Sequence, residues 1–399
     1  MKKSILSYIL ILIIILVSFL FIYDKKDYKN EREIVFWTLQ LGTFDKYLNN
    51  IISNFEKENP EYKIKWIDVP YAEGEKRTLA AILTDNPPDL VNLTPDFSLL
   101  LAKKKALHTI NKEDLIQYNQ AIIDALKYDN EYFGIPFYAT SAITLYNENL
   151  TNLKISTYDE LFEFIPKQNT YTTMINFAEN DTLLKLLNKY EIDSYKNINS
   201  KKSIELYKNF KTLYTKNRIP KESITQTHRD ALEKYMSGQL AYLVTGANFL
   251  NLIKENAPTI YKKTKILPQL VGDTKKYDCS LMNFVIPQKA KHKEGAIKFA
   301  LFLTNKENQL AFAKMTTILP VNKEALNNEY FKKSPNYDIQ NQARIISSKQ
   351  LNNLQIQRQN TKNKKELNNL SANYIQEILI NNKDIEETLN KFSADWAKL

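Results

Sequence analysis

The chain has 399 residues, 43% apolar and 25% charged, with a formal net charge of +10; this length suggests two or three domains, and the balance excludes wholesale disorder. Its 7 glycines include no G-x-G pair, which excludes Gly-rich dinucleotide and P-loop phosphate cradles. A lone cysteine, Cys279, and the scattered His108, His228 and His292 exclude an intrachain disulfide, a multi-cysteine metal site and an H-E-x-x-H motif.

Residues 1–23 open on Met1-Lys2-Lys3 and continue as an apolar run over 5–23. A secretory signal needs an apolar stretch of about 7–15 residues and a membrane span ~20, so this run sits at the spanning end. No small-x-small cleavage site follows, and Leu16-Val17-Ser18 leads to Phe19 rather than a lipidated cysteine. The run reads as an uncleaved signal anchor, with a long cleaved signal peptide as the alternative; both place the rest outside the cytoplasm, in the periplasm or on the outer face of the membrane. Residues 24–33 are charged and read as a tether.

Ile34-Val35-Phe36-Trp37 predicts a buried strand. Phe44, Tyr47, Leu48, Ile51, Ile52 and Phe55 repeat at helical spacing, and Asn59-Pro60 ends that helix. A strand over 62–69, a helix over 75–83 stopped by Pro87-Pro88, a strand over 89–93 and a helix over 97–105 follow. This order predicts an α/β lobe with a mostly parallel sheet. Extended segments are expected at 132–136 and 142–146. Thr157 and Glu160 form a capping-box pattern. Helices are expected near 181–190, 203–216 and 228–237, strands at 239–244 and 282–286, and a helix over 293–303. The last ~65 residues read mainly as helix, with one amphipathic stretch over 375–396. Gly134 before Pro136 reads as a turn, and Ser237-Gly238 as a helix end. The lysines are dispersed, with only Lys362 to Lys365 approaching a cluster, so they read as a solvated surface and no nucleic-acid partner is expected.

Six segments together resemble the extracellular solute-binding proteins of bacterial ABC importers, in the carbohydrate-type, maltose-binding-protein-like branch. They are Ile34 to Thr38; Asn86-Pro87-Pro88-Asp89-Leu90-Val91 with the helix ending Lys105-Ala106-Leu107; Asn130 to Tyr138 continuing to Leu145-Tyr146-Asn147; Thr157 to Leu161; Tyr235 to Ala241; and Lys291 to Ala296 with Phe299, Phe302 and Leu319-Pro320-Val321. Each is weak alone; their common order over 32–330 carries the resemblance.

The resemblance implies an α/β fold of the periplasmic-binding-protein type (type II), with a ligand cleft between two lobes that closes by a hinge motion. Lobe 1 is expected at 32–138 plus 283–318 and lobe 2 at 139–282 plus 319–399, with crossings near 138–141, 279–283 and 317–321. Hydroxyls of a sugar need planar donors and acceptors, and its C–H face needs an aromatic ring. The loops expected at the cleft offer Trp37, Thr38, Gln40, Tyr71, Asn92 and Asp96, then Tyr138, Thr140, Asn248, Phe249 and Tyr277. Glu73 and Asp278 stand beside them, while Trp66 and Trp396 read as packing residues. The family commonly carries Gly-x-Trp after the 239–245 strand; here Gly246-Ala247-Asn248 puts Asn in that place.

The expected function is capture of a small solute, foremost a sugar or oligosaccharide, for import. The partners implied are the permease subunits, indirectly their ATPase, and the membrane through the N-terminal helix; the chain is expected to be a monomer. No catalytic residue, metal or cofactor is expected. No G-x-S-x-G occurs, and the adjacent Glu386-Glu387 point to different helix faces. The alternatives are a membrane-anchored adhesion module using the same cleft and, further off, a glycoside hydrolase.

Overall fold

The computed structural model describes residues 32–179, 181–334, 338–355 and 364–399. The expected anchor and nearly all of the tether lie outside the described residues, as does the first half of the basic run, Lys362 and Asn363. Among the described residues, no helix is long and apolar enough to cross a membrane. The chain divides into two compact units. The first holds the residues up to Leu115 with Leu126–Ile135 and Asn283–Asn308; the second holds Ile116–Ala125, Pro136–Met282 and Gln309–Leu399.

In the first unit the strand Arg32–Leu39 pairs in parallel with Tyr62–Val69 along its whole length, from Arg32↔Tyr62 to Leu39↔Val69. On its other side it pairs in parallel with Leu90–Leu93. The last residues of Tyr277–Val285 then add an antiparallel edge, Val91↔Val285 to Leu93↔Asn283. The helix Asp45–Glu58 buries Leu48, Ile51, Ile52 and Phe55, the stripe its spacing predicts. Phe55 meets Phe299 of the helix Lys293–Leu303 at 4.9 Å between ring centres, and Phe299 meets Phe36 edge-on at 5.2 Å. These rings form the centre of the unit. Gly134 fixes no turn. A Cβ there would come within 2.7 Å of Asn283 Nδ2 and 3.2 Å of the Phe284 carbonyl, so close packing explains the glycine.

The second unit is built on one long strand, Ile135–Asn147, where two shorter extended segments were expected. Tyr242–Gly246 and Thr264–Pro268 pair antiparallel with it. Leu319–Pro320 joins at Ala139 and Tyr138. Tyr242–Gly246 starts later than its apolar run suggests because the preceding helix end consumes residues. Gly238 turns left-handed at φ 77°, and Gln239 N–H donates back to the Lys234 carbonyl. The capping box forms as expected: Glu160 N–H donates to Thr157 Oγ1, and Glu160 accepts the Thr157 N–H at 2.9 Å.

The amphipathic tail is two helices, Lys364–Leu379 and Ile385–Trp396. Asn382 turns left-handed between them, and Asp384 caps the second by accepting the Glu387 N–H at 2.9 Å. Both helices bury their apolar faces in one core with Tyr207, Phe210 and Leu187; Trp396 packs there as expected.

Candidate ligand site

A recess of about 580 Å³ opens in the second unit. Several elements set its walls. The end of Tyr242–Gly246 runs through Thr245 into Ala247, Asn248 and Phe249, which start the helix Phe249–Asn256. The helix Thr182–Asn188 presents Thr182, Lys185 and Leu186, with Lys189 just beyond. These positions are three and four residues apart and share one face. Asp278, Cys279 and Ser280 come from Tyr277–Val285.

One wall carries an aromatic pair. His228 opens the helix His228–Met236, which is fixed by a second capping box in which Asp230 accepts the Thr227 N–H at 2.9 Å. This places a His228 ring nitrogen 2.9 Å from the Thr245 hydroxyl and sets the ring edge-on to Phe249, 5.4 Å between centres. Burial holds the imidazole below its usual range; the Glu179 carboxylate, which accepts the His228 backbone N–H at 2.8 Å, opposes that shift more weakly. His228 is therefore neutral near pH 7.

A second group of lining residues is ionic. Lys189, 2% exposed, sets its ammonium 2.7 Å from Asp278 Oδ2 and 3.3 Å from Gln269 Oε1. Gln269 Oε1 also accepts the Asp278 N–H at 2.7 Å. Gln269 N–H donates to Gln350 Oε1, whose amide nitrogen donates to Ser141 Oγ at 2.6 Å and the Ala142 carbonyl at 2.9 Å. Burial, helped by the charge of Asp278, pushes the Tyr158 hydroxyl well up, so it remains a donor. Burial likewise pushes the Cys279 thiol up to about 12. A neutral thiol is a poor nucleophile.

Of the expected binding residues, the recess gathers Thr140, Asn248 and Phe249. Asn248 is exposed, with the Phe249–His228 pair beside it. Tyr138 lies elsewhere, its ring against Phe137 and Phe312. Tyr277 is half-buried and in register with Leu354. The other six belong to the first unit. Thr38 is fully buried, donating to Asp68 Oδ1 at 2.7 Å and accepting from Trp66 Nε1 at 2.8 Å. Asn92 is also fully buried, its amide donating to the Asn283 carbonyl at 3.3 Å. Trp37 is half-buried between Ile67 and Val91 in register, and its indole N–H finds no acceptor among the described residues. Gln40 is exposed in a left-handed turn, Tyr71 is 54% exposed at a helix start, and Asp96 sits in the first turn of Pro95–Lys103. Sequence reasoning missed Glu179, Lys185, Lys189 and His228 at the recess. The one local signal was the capping pattern Thr227 to Asp230, which places His228 at a helix start.

Residues 50–339 match the family described as bacterial extracellular solute-binding protein, and the chain belongs to that family. Solved structures agree on the fold. A protein of Synechococcus sp. MITs9220 described as an oligosaccharide periplasmic-binding protein is 25% identical, with a TM-score of 0.82 over 92% of this chain and 98% of that one. A cyclo/maltodextrin-binding protein complexed with maltotetraose is 18% identical, TM-score 0.76, over 91% and 96%. The sugar-binding protein MalE of Xanthomonas citri is 15% identical, TM-score 0.76, over 92% and 97%. The family and these neighbours are binding proteins, and the family's place is outside the cytoplasm.

Proposed function

We propose that the chain captures a sugar or oligosaccharide in the recess of its second unit and delivers it to an ABC permease. The lining carries this reading. Asn248, Asp278, Lys189 and the Tyr158 hydroxyl supply donors and acceptors, while Phe249, Met174 and Leu186 supply apolar surface. Such mixed polar and apolar walls suit a polyhydroxylated solute with an apolar ring face. The maltotetraose bound by one structural neighbour and the description of another as sugar-binding support the same class. The neutral Cys279 thiol and the paired Asp278 favour holding a solute over attacking it. Anchoring by residues 5–23, lobe 1 at 32–138 plus 283–318, lobe 2 at 139–282 plus 319–399, a monomeric state and roles for Trp37, Asn92 and Asp96 belong to the proposal too.

Thermal unfolding of the full chain against mono- and oligosaccharides, polyols, sugar phosphates and short peptides tests it. A solute at 100 times its Kd stabilises the folded state by about 2.7 kcal/mol, a shift of several degrees. A clear shift with one saccharide class is expected. A well-folded protein silent to every saccharide would overturn the sugar reading.

A further inference from the structure

Lys189 is nearly buried yet lines the recess. Its ammonium uses one N–H on Asp278 and one on Gln269, and an ammonium has three. Asp278 meets Lys189 through Oδ2, its side chain remains 21% exposed, and it lines the same recess. A carboxylate offers about four acceptor sites, so it keeps capacity after one ion pair. The neighbours are already committed: Gln269 Oε1 is shared between Lys189 and the Asp278 N–H, and the Gln350 amide serves Ser141 and Ala142. The backbone is held too, because Gly272 packs so closely that a Cβ would come within 2.6 Å of the Lys189 carbonyl oxygen. Burying an ion pair costs desolvation that an apolar pair of the same volume avoids, so packing alone gives a weak reason for it.

We infer that the Lys189–Asp278 pair reads two adjacent hydroxyls of the bound solute. One hydroxyl oxygen accepts from Lys189 Nζ, and its neighbour's O–H donates to Asp278 Oδ1. The solute class is then neutral and polyhydroxylated, with an unsubstituted vicinal diol. An acidic substituent on either carbon would face the Asp278 carboxylate. This inference rests on the solute-capture reading of the same recess.

Titration calorimetry of wild type, D278N and K189Q with maltotetraose, maltose, glucose and mannitol tests it, with circular dichroism as the check on folding. Folded variants that bind at least about tenfold more weakly than wild type support the pair as the diol reader. Variants that bind within threefold overturn it and leave solute capture standing. A wild type that binds none of the four, nor any other saccharide of the unfolding panel, overturns the sugar class and this inference together. Where the single variants do not fold, wild type is titrated with deoxygenated derivatives of whichever of the four binds. Removing either of two adjacent hydroxyls should weaken binding at least tenfold, and derivatives that all bind within threefold would overturn the inference.

Discussion

At Asp89 one buried carboxylate holds three backbone N–H groups from two parts of the first unit. Oδ2 accepts from Val35 at 2.9 Å, and Oδ1 accepts from Lys291 at 3.0 Å and His292 at 2.9 Å. Removing it strands these donors, and hydrogen bonds to charged groups are among the stronger ones. Asp89→Ala should cost about 3 kcal/mol, read as a lowered denaturant midpoint with unchanged slope; an unchanged midpoint would contradict this role. His228 makes a pH prediction. Its folded pKa lies below the ordinary value because of burial. As pH falls below about 6.5 the unfolded chain takes up a proton that the folded chain refuses. Stability is therefore lost below pH 6.5 until the folded group protonates, by at most about 1.4 kcal/mol per pH unit from this residue. His228→Gln should remove that part of the slope, read from urea midpoints at pH 7.5 and 5.5. Asn248 and Phe249 were reachable from sequence because they follow a strand that the apolar pattern marks, and Thr140 because the resemblance implies a crossing there. Lys189 was not, since among 55 basic residues nothing local separates a buried lysine from a solvated one. Its partners are Asp278 on Tyr277–Val285 and Gln269 just after Thr264–Pro268.

Among elements, close approaches position the site more than propensity does. Gly272 lets the chain before Tyr277–Val285 lie against the carbonyl that ends Thr182–Asn188. Gly272→Ala puts a methyl 2.6 Å from the Lys189 oxygen and 3.0 Å from its Cβ. Overpacking of this kind costs about 1–3 kcal/mol. The Lys189–Asp278 geometry should loosen with it, so saccharide affinity should fall alongside stability; an unchanged affinity would contradict the coupling. The same physics explains which elements were legible. Helices with a clear 3.6 period, such as Asp45–Glu58 and Lys293–Leu303, need only their own pattern. The start of Tyr242–Gly246 depends on how residues 238 and 239 finish the previous helix. The gap between Lys364–Leu379 and Ile385–Trp396 depends on Asn382, and apolar spacing carries neither signal.

For the molecule as a whole, the family was legible because six weak motifs kept their order over most of the chain. The α/β character followed from alternating strands and helices. The depth to which the tail enters the second unit was less visible. Leu367, Ile375, Ile378, Leu389, Phe392 and Trp396 share a core with Leu187, Tyr207 and Phe210. At about 1.5–3 kcal/mol for each large apolar side chain, these six contribute on the order of 10 kcal/mol, comparable to the stability of a domain. Deleting residues 364–399 should abolish the main cooperative transition in calorimetry, whereas a retained transition would show that the tail is peripheral. Under the proposed function, the recess of the second unit holds the solute. The most direct test is a crystal structure of the chain with the saccharide that stabilises it. Density for that saccharide is expected in the recess, within hydrogen-bond reach of Asp278 and beside Phe249. A saccharide bound elsewhere, with this recess filled only by water, would contradict it.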